Sequence, residues 1–531
     1  MTPRSPAPAR AALVLAALTL AAATPTPHAL PPIVFVSRQP PTRPGDIPGL
    51  GPGGRALATG GRLMLRAPDG ALRELLPPAA LYDVSRPSVS PDGRRVAFAG
   101  TPAADGAWRL WIVGLDGAGL AAATHDPAPP LDRRCDDLDP CWVDDSTLCF
   151  ASTRFPLVAQ YGGGPVTNLF VMRLPGGEPV RVTSERNGAE TPAMDVRTGR
   201  IVFARWWHNR YRASADPSGL TTDPARVLPG DSVSLWHAME IALDRARDER
   251  LACGDPASRL GAECYQPAIL ADGSIVGVYA ANSGLVPASG GTGIQRFSPR
   301  LRAGRRLAGA IVEPGGHAGY GSPRGLAPPS ACSPAGLPDG RMLFAYDPGG
   351  RGDFGLYVMN ADGSGLARVL DLPRTLELDP APVVARPRAP GAAWRPGDAP
   401  PDRPFPSLDQ ALASPRRFRF LDQDVFAPPG SPPRTSRARI RFYATLPRPS
   451  GPDSVILVRE AAVGPGGRVD QDGLPADLPM FEQIVDGAGR VLRAAHGPAH
   501  VAGFNAGAPG QVTRCTGCHV GHSTLLRRGG R

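Results

Sequence analysis

The sequence predicts a mainly β protein, a six-bladed β-propeller followed by a small β-rich domain. Three observations carry that expectation. A unit of strand, polar turn and apolar strand recurs through the first three quarters of the 531 residues. One half of such a unit opens the repeating region, and the complementary half closes it. Beyond a proline-rich stretch, short alternating strands lead to Cys515, Cys518 and His519, a C-x-x-C-H string.

The repeats are "SRPSVSPDGRRVAFAG" (Ser85–Gly100), "LDPCWVDDSTLCFASTR" (Leu138–Arg154), "ETPAMDVRTGRIVFARW" (Glu190–Trp206), "YQPAILADGSIVGVYA" (Tyr265–Ala280) and "SPAGLPDGRMLFAY" (Ser333–Tyr346). In each, a short strand follows a proline and a polar turn, often Asp-Gly, joins it to an apolar strand. Such turns suit tight hairpins because their central positions tolerate positive φ. A third strand often follows, as in "WRLWIVGLDGAG" (Trp108–Gly119) and "GLYVMNADGSG" (Gly355–Gly365). The turns recur every ~50 to 75 residues, the range of propeller blades carrying insertions. "IVFVSRQP" (Ile33–Pro40) matches a second strand and "LDPAPVVARP" (Leu378–Pro387) a first. Joined, they complete a sixth blade from both ends. A β-sandwich of hairpin meanders would use the same strands, and the split unit favours the ring.

Composition fits many turns between short strands. Gly and Pro number 64 each, and 42% of residues are hydrophobic, enough for folded cores. The net charge is +10, and every basic residue is Arg. These arginines are interleaved with acids instead of forming a basic, aromatic-rich face, so nucleic acid is not expected as a partner. The N-terminus, with Arg4 and Arg10 before the apolar run Ala11–Ala23, predicts a signal peptide over residues 1–29. No later run approaches the length of a transmembrane helix. The mature chain is therefore expected in the periplasm, or otherwise exported. The expected organisation is propeller over 33–387, Pro-rich linker over 388–415 and a haem domain over 416–531.

The haem expectation comes from the C-x-x-C-H string. Cys515 and Cys518, three apart on one helical turn, would form thioethers to the two vinyl groups of one haem c, and His519 would be the proximal iron ligand. With 8 Cys and 9 His in the chain, chance would supply such a string roughly 0.002 times per chain of this length. The competing readings are a redox dithiol, half of a zinc site or a Cys515–Cys518 disulfide. A thioredoxin-like dithiol wants a βαβ context, and zinc wants a second ligand pair. Neither is found. His496, His500 and Met480 are the candidate distal ligands, since His522 on a continuing helix would stay on the proximal side.

The other six cysteines, Cys135, Cys141, Cys149, Cys253, Cys264 and Cys332, suggest disulfides in an oxidising compartment. Cys135 with Cys141 and Cys253 with Cys264 bracket short loops. Cys141 reads as a disulfide partner, a buried thiol or a metal ligand. Trp206, Trp207 and His208 read as packing or a channel rim. "DQDG" at Asp470–Gly473 lacks the remaining oxygen ligands of a calcium loop.

The "SPDG…VAFAG…LWIVGLDGAG" pattern resembles the TolB-type (PD40) propeller repeat. "DDLDPCWVDDSTLCFASTR" and "RVTSERNGAETPAMDVRTGRIVFARWW", together with the downstream C-x-x-C-H, resemble the hydrazine synthase alpha subunit family from Ile33 to the haem motif. The resemblance implies a propeller, a middle-domain-like haem domain and a redox role. Ser523 stands four residues past His519 where the family has a Tyr near the haem, so tyrosine ligation is not carried over. The expected function is a haem oxidoreductase component, with its iron near the propeller's central opening. Alternatives are an electron-transfer cytochrome that docks a redox partner protein on the propeller, and an interaction scaffold with a structural or sensory haem. A small-molecule substrate fits the first of these. No catalytic side chain is identified.

Overall fold

The computed structural model describes residues 29–42, 46–128, 131–230, 234–244, 247–254, 263–280, 285, 291–297, 305–309, 329–390, 394, 399–427, 432–448, 453–494, 497–519 and 522–525. The chain divides into two compact units, Met1–Leu30 and Pro31–Arg531. Residues 1–28, which carry most of the expected signal peptide, lie outside the described ones. The second unit is mainly β.

Six four-stranded antiparallel sheets account for the repeats. Their innermost strands are Leu376–Pro382, Asp83–Val89, Asp137–Asp144, Ala189–Asp195, Tyr265–Ile269 and Ser330–Gly336. Each lies against the next in that order, and the last returns to the first. In the first sheet the inner strand comes from the far end of the region. Leu376–Pro382 pairs with Ile33–Arg38, placing Ile33 opposite Pro382 and Arg38 opposite Leu376. The turns behave as their residues dictate. At Asp92-Gly93, Gly93 has φ +71°, its N–H donates to the Ser90 carbonyl, and the Ser90 N–H donates to Arg95. A side chain at that φ would cost about 1 kcal/mol or more.

Every innermost strand carries the same irregularity. Arg86, Asp139, Thr191, Gln266, Ser333 and Asp379 each precede a proline, and each has φ between +50° and +54°. Pairing with the second strand shifts register around each of these positions. Left-handed backbone at a non-glycine residue costs about 1–3 kcal/mol and persists where the surroundings enforce it. Here the enforcement is a set of bonds between neighbouring sheets. Arg86 lies 3.4 Å from Asp139 and 3.3 Å from Asp379. Asp139 accepts from the Thr191 N–H at 3.0 Å. Beside Thr191, Glu190 accepts from the Tyr265 hydroxyl at 2.5 Å. Gln266 accepts from the Ser333 N–H at 2.7 Å, and the Ser333 hydroxyl donates to Asp379 at 2.8 Å. The six strands enclose a cavity of about 510 Å³ lined by residues of all six, including Pro87, Pro140, Pro192, Pro267, Pro334 and Pro380.

The C-terminal residues form two further sheets. Val469–Pro475, Arg417–Asp422, Val512–His519 and His522–Leu525 make a mixed four-stranded sheet, in which Arg417–Asp422 and Val512–His519 run parallel. Ser454–Ala462, Arg439–Leu446 and Met480–Val485 make a three-stranded one. Phe420 meets Phe442 edge-on at 5.1 Å between them. Their core is continuous with that of the third and fourth propeller-region sheets: Cys149, Phe203, Trp207, Phe418, Phe442 and Cys515 belong to one buried cluster. Arg186 pairs with Asp453 across the same junction. The stretch expected as a linker is tied down as well. Its residues Leu408–Ala413 form a short helix capped by Ser407, the Pro401 carbonyl accepts from Arg181 at 2.6 Å, and Trp394 packs on the shared core.

The suggested short-loop disulfides are not made. Cys135, Cys141 and Cys264 are buried thiols, as are Cys149 and Cys332. Cys141 stands directly opposite Cys149 across the hairpin. Burial pushes the Cys141 thiol up to about 11. Among the described residues no helix is long and apolar enough to cross a membrane.

Candidate functional site

The C-x-x-C-H string lies on a β-hairpin, where a helical turn was expected. In the strand Val512–His519, Cys515 is opposite Asp422 on the parallel side and Leu525 on the antiparallel side. Cys518 faces Ser523 and His519 faces His522, with a one-residue shift in register between Cys515 and Cys518. The physical reason lies upstream: Val512 and Thr513 are β-branched, and the edge of Arg417–Asp422 offers a ladder that an isolated turn would lack. The geometric argument against His522 as a distal ligand, which assumed a helix, no longer applies.

Cys515 is buried at 1% exposure in the core that joins the two regions. The side chains of Cys518 and His519 lie outside the described residues, as does His496. Met480 is buried in the same cluster as Cys515. Its main chain exchanges hydrogen bonds with Asn505, at 2.8 and 2.7 Å. His500 is also buried, but both ring nitrogens are engaged. Nδ1 pairs with the Gln483 amide at 3.2 Å, and Nε2 meets the Tyr211 carbonyl at 2.9 Å. A carbonyl only accepts, so Nε2 carries the proton and Nδ1 accepts from Gln483. Iron ligation by His500 would require breaking one of these bonds.

The hairpin reaches the fourth sheet through its outermost strand, Arg250–Leu251, which His522–Leu525 contacts. This contact sets the hairpin against the outer edge of that sheet. A cavity of about 50 Å³ lies at this seam, between the turn Arg247–Glu249 and the segments Ala506–Ala508 and Gln511–Arg514. Two glycines allow so close an approach. A Cβ on Gly507 would sit 2.1 Å from the Phe418 ring, and one on Gly503 would sit 2.2 Å from Trp207.

Charged groups missed by sequence reading surround the cavity. Arg247 Nη2 donates to Asp477 Oδ1 at 2.6 Å, and Arg416 Nε donates to Asp477 Oδ2 at 2.8 Å. Arg205 lies 3.4 Å from Glu249 and is stacked over Trp207 at 4.5 Å. Burial, then the charge and hydrogen bond of Glu249, hold the Glu185 carboxyl well above the ordinary range. Burial pushes Glu482 up to about 8, against the Asn505 amide that donates to it. The run "DRARDER" at Asp244–Arg250 signals a charged turn. Its bond to Asp477, 230 residues away, leaves no mark in local sequence. Trp206 and Trp207 divide between two cores: Trp206 stacks on Trp236 at 5.5 Å, while Trp207 faces the seam.

Of the three donors in the string, Cys515 alone has a described side chain, and its thiol chemistry suits a thioether to haem. A buried cysteine of the C-x-x-C-H string stands beside a cavity walled by Arg247, whose buried Nε has no hydrogen-bond partner among the described residues. A haem would bring anionic carboxylates to such a wall.

The architecture is mainly β, and one solved structure shares it over most of the chain. Hydrazine synthase from Kuenenia stuttgartiensis superposes with a TM-score of 0.62 at 18% identity, over 92% of this chain and 69% of that one. At that identity the likeness shows the fold. TolB from Acinetobacter baumannii aligns with a TM-score of 0.40 at 13% identity, over 66% of each chain. The β-propeller domain of the Trilobed protease from Pyrococcus furiosus gives 0.32 at 11% identity, over 59% of this chain and 77% of that one. No protein-family model matches the chain, and no curated protein matches its sequence.

Proposed function

We propose that this chain is an exported c-type haem-binding protein, a haem oxidoreductase component built on a six-bladed propeller closed by strands from both ends. One observation carries the reading. The C-x-x-C-H string Cys515–His519 sits where Cys515 is buried at the seam between the propeller-like region and the C-terminal sheets. Thioethers at Cys515 and Cys518 would hold one haem c, and His519 would supply the proximal ligand. The haem would contribute one-electron redox chemistry at iron. The chain's own residues do the rest. The core around Phe418, Phe420 and Val469 excludes water from Cys515. Arg247, Arg416 and Arg205 set a positive field at the seam, where burial and Glu249 hold the Glu185 carboxyl above its ordinary range. Because both His500 nitrogens are already bonded, an iron site open to a small ligand is favoured over closure by that side chain.

The test is covalent haem on the exported protein, read as haem-dependent peroxidase staining on a denaturing gel and as intact mass. Cys515→Ala and Cys518→Ala should each lose it. Covalent haem surviving in both variants rules the assignment out. The ferrous spectrum with carbon monoxide then separates an open site, which shifts rapidly, from a closed electron carrier, which does not.

A further inference from the structure

We infer that the seam cavity is an anion-binding site that takes a carboxylate or small oxyanion against Arg247. The cavity wall carries Arg247, Arg514, Asp477, Asp248 and Glu249. Its acids already have arginines of their own outside the wall. Asp477 holds Arg416 as well as Arg247, so one carboxylate serves two guanidiniums. Glu249 pairs with Arg205, and Asp248 with Arg200 at 3.6 Å and Arg250 at 3.3 Å. Arg514 has no acid partner among the described residues.

Arg247 is 8% exposed, and its buried Nε lacks a hydrogen-bond partner among the described residues. A buried guanidinium N–H left unpaired costs on the order of 1–3 kcal/mol, which a bound anion would recover. The backbone is also strained at both ends of the Arg247–Asp477 pair, with φ +48° and +61°. Such left-handed residues hold the guanidinium at the wall at a cost of about 1–3 kcal/mol each. An arginine presents planar paired donors, the geometry that suits the two oxygens of a carboxylate or of nitrite.

Two sources share that chemistry. One is a carboxylate of the haem itself, which rests on the function proposed above. The other is a free oxyanion entering the seam. The experiment is nitrite and sulfate binding by calorimetry, on haem-loaded protein and on haem-free protein produced without its leader in a cytoplasm lacking haem-attachment machinery. Folding of each preparation is checked by circular dichroism, and covalent haem by denatured mass, so failure of the haem reading is seen separately. The haem-free protein should bind anion, and Arg247→Gln should weaken it at least ten-fold while the exposed-pair control Arg419→Gln does not. Binding that persists in haem-loaded protein identifies a free oxyanion. Binding abolished by haem identifies its carboxylate as the occupant. Absence of anion binding to folded haem-free protein, or an unchanged affinity in Arg247→Gln, overturns the inference.

Discussion

Glu263 shows what burial does to one residue. It is fully buried; one oxygen accepts from the Ala280 N–H at 3.1 Å, and the other has no partner among the described residues. Burial pushes its carboxyl up to about 8, against that donor. An unfolded glutamate releases its proton near pH 4.3. Across the window from there to about 8, the folded state holds a proton that the unfolded state has lost, so stability falls as pH rises. Below the window the contribution is fully present, and through it the loss is about 1.4 kcal/mol per pH unit. Glu263→Gln should therefore gain stability over wild type at pH 8 relative to pH 5, measured by urea unfolding. An equal difference at both pH values would show that Glu263 ionises normally.

Asp379 makes the complementary case. It receives Arg86 and the Ser333 hydroxyl from two neighbouring sheets, and Asp379→Ala leaves a half-buried guanidinium with half its compensation. A loss of about 3–5 kcal/mol is expected and would appear as a lower denaturant midpoint with unchanged slope. Neither residue announces itself in the sequence. The Asp-Pro and Gln-Pro steps are visible there, but the φ of the preceding residue and the partner on the next sheet come from the ring of contacts.

Among the elements, the hairpin bearing Cys515 departs most from its sequence-based expectation. The string of residue types was legible, and so were the short alternating strands leading to it, because alternation is a local signal. The conformation of Val512–His519 was not, because it is set by parallel pairing with Arg417–Asp422, almost a hundred residues earlier. The glycines that seat this element were equally silent. Gly507→Ala should force its methyl into the Phe418 ring and cost about 1–3 kcal/mol. Phe418→Leu in the same chain should return part of that loss. If the two substitutions act additively in a double-mutant cycle, the contact does not bind the segment to the sheet.

At the scale of the whole molecule, the repeat count and the split sheet were readable from strand order alone, since each unit repeats the same proline, turn and apolar strand. The seam was not. Arg186 with Asp453 and Arg247 with Asp477 join segments 267 and 230 residues apart, and the proline-rich stretch is fastened at Trp394, Pro401 and the helix Leu408–Ala413. The two regions are therefore expected to unfold together. A protein carrying Arg247→Ala should show two separable transitions, by calorimetry or by tryptophan fluorescence against far-ultraviolet dichroism. A single coincident transition would mean that the shared apolar core suffices without the ion pair.

The pairing of Ile33–Arg38 with Leu376–Pro382 bears on how the chain is made. A ribosome working from the N-terminus produces Ile33–Arg38 more than three hundred residues before its inner neighbour exists. Throughout that interval the first sheet lacks its innermost strand, and the loop that must close is the longest in the propeller-like region, a slow step by the ordinary entropy of chain closure. A nascent chain held open in this way stays threadable until synthesis is nearly done. On the export proposed above, that delay would keep the polypeptide unfolded for its passage across a membrane.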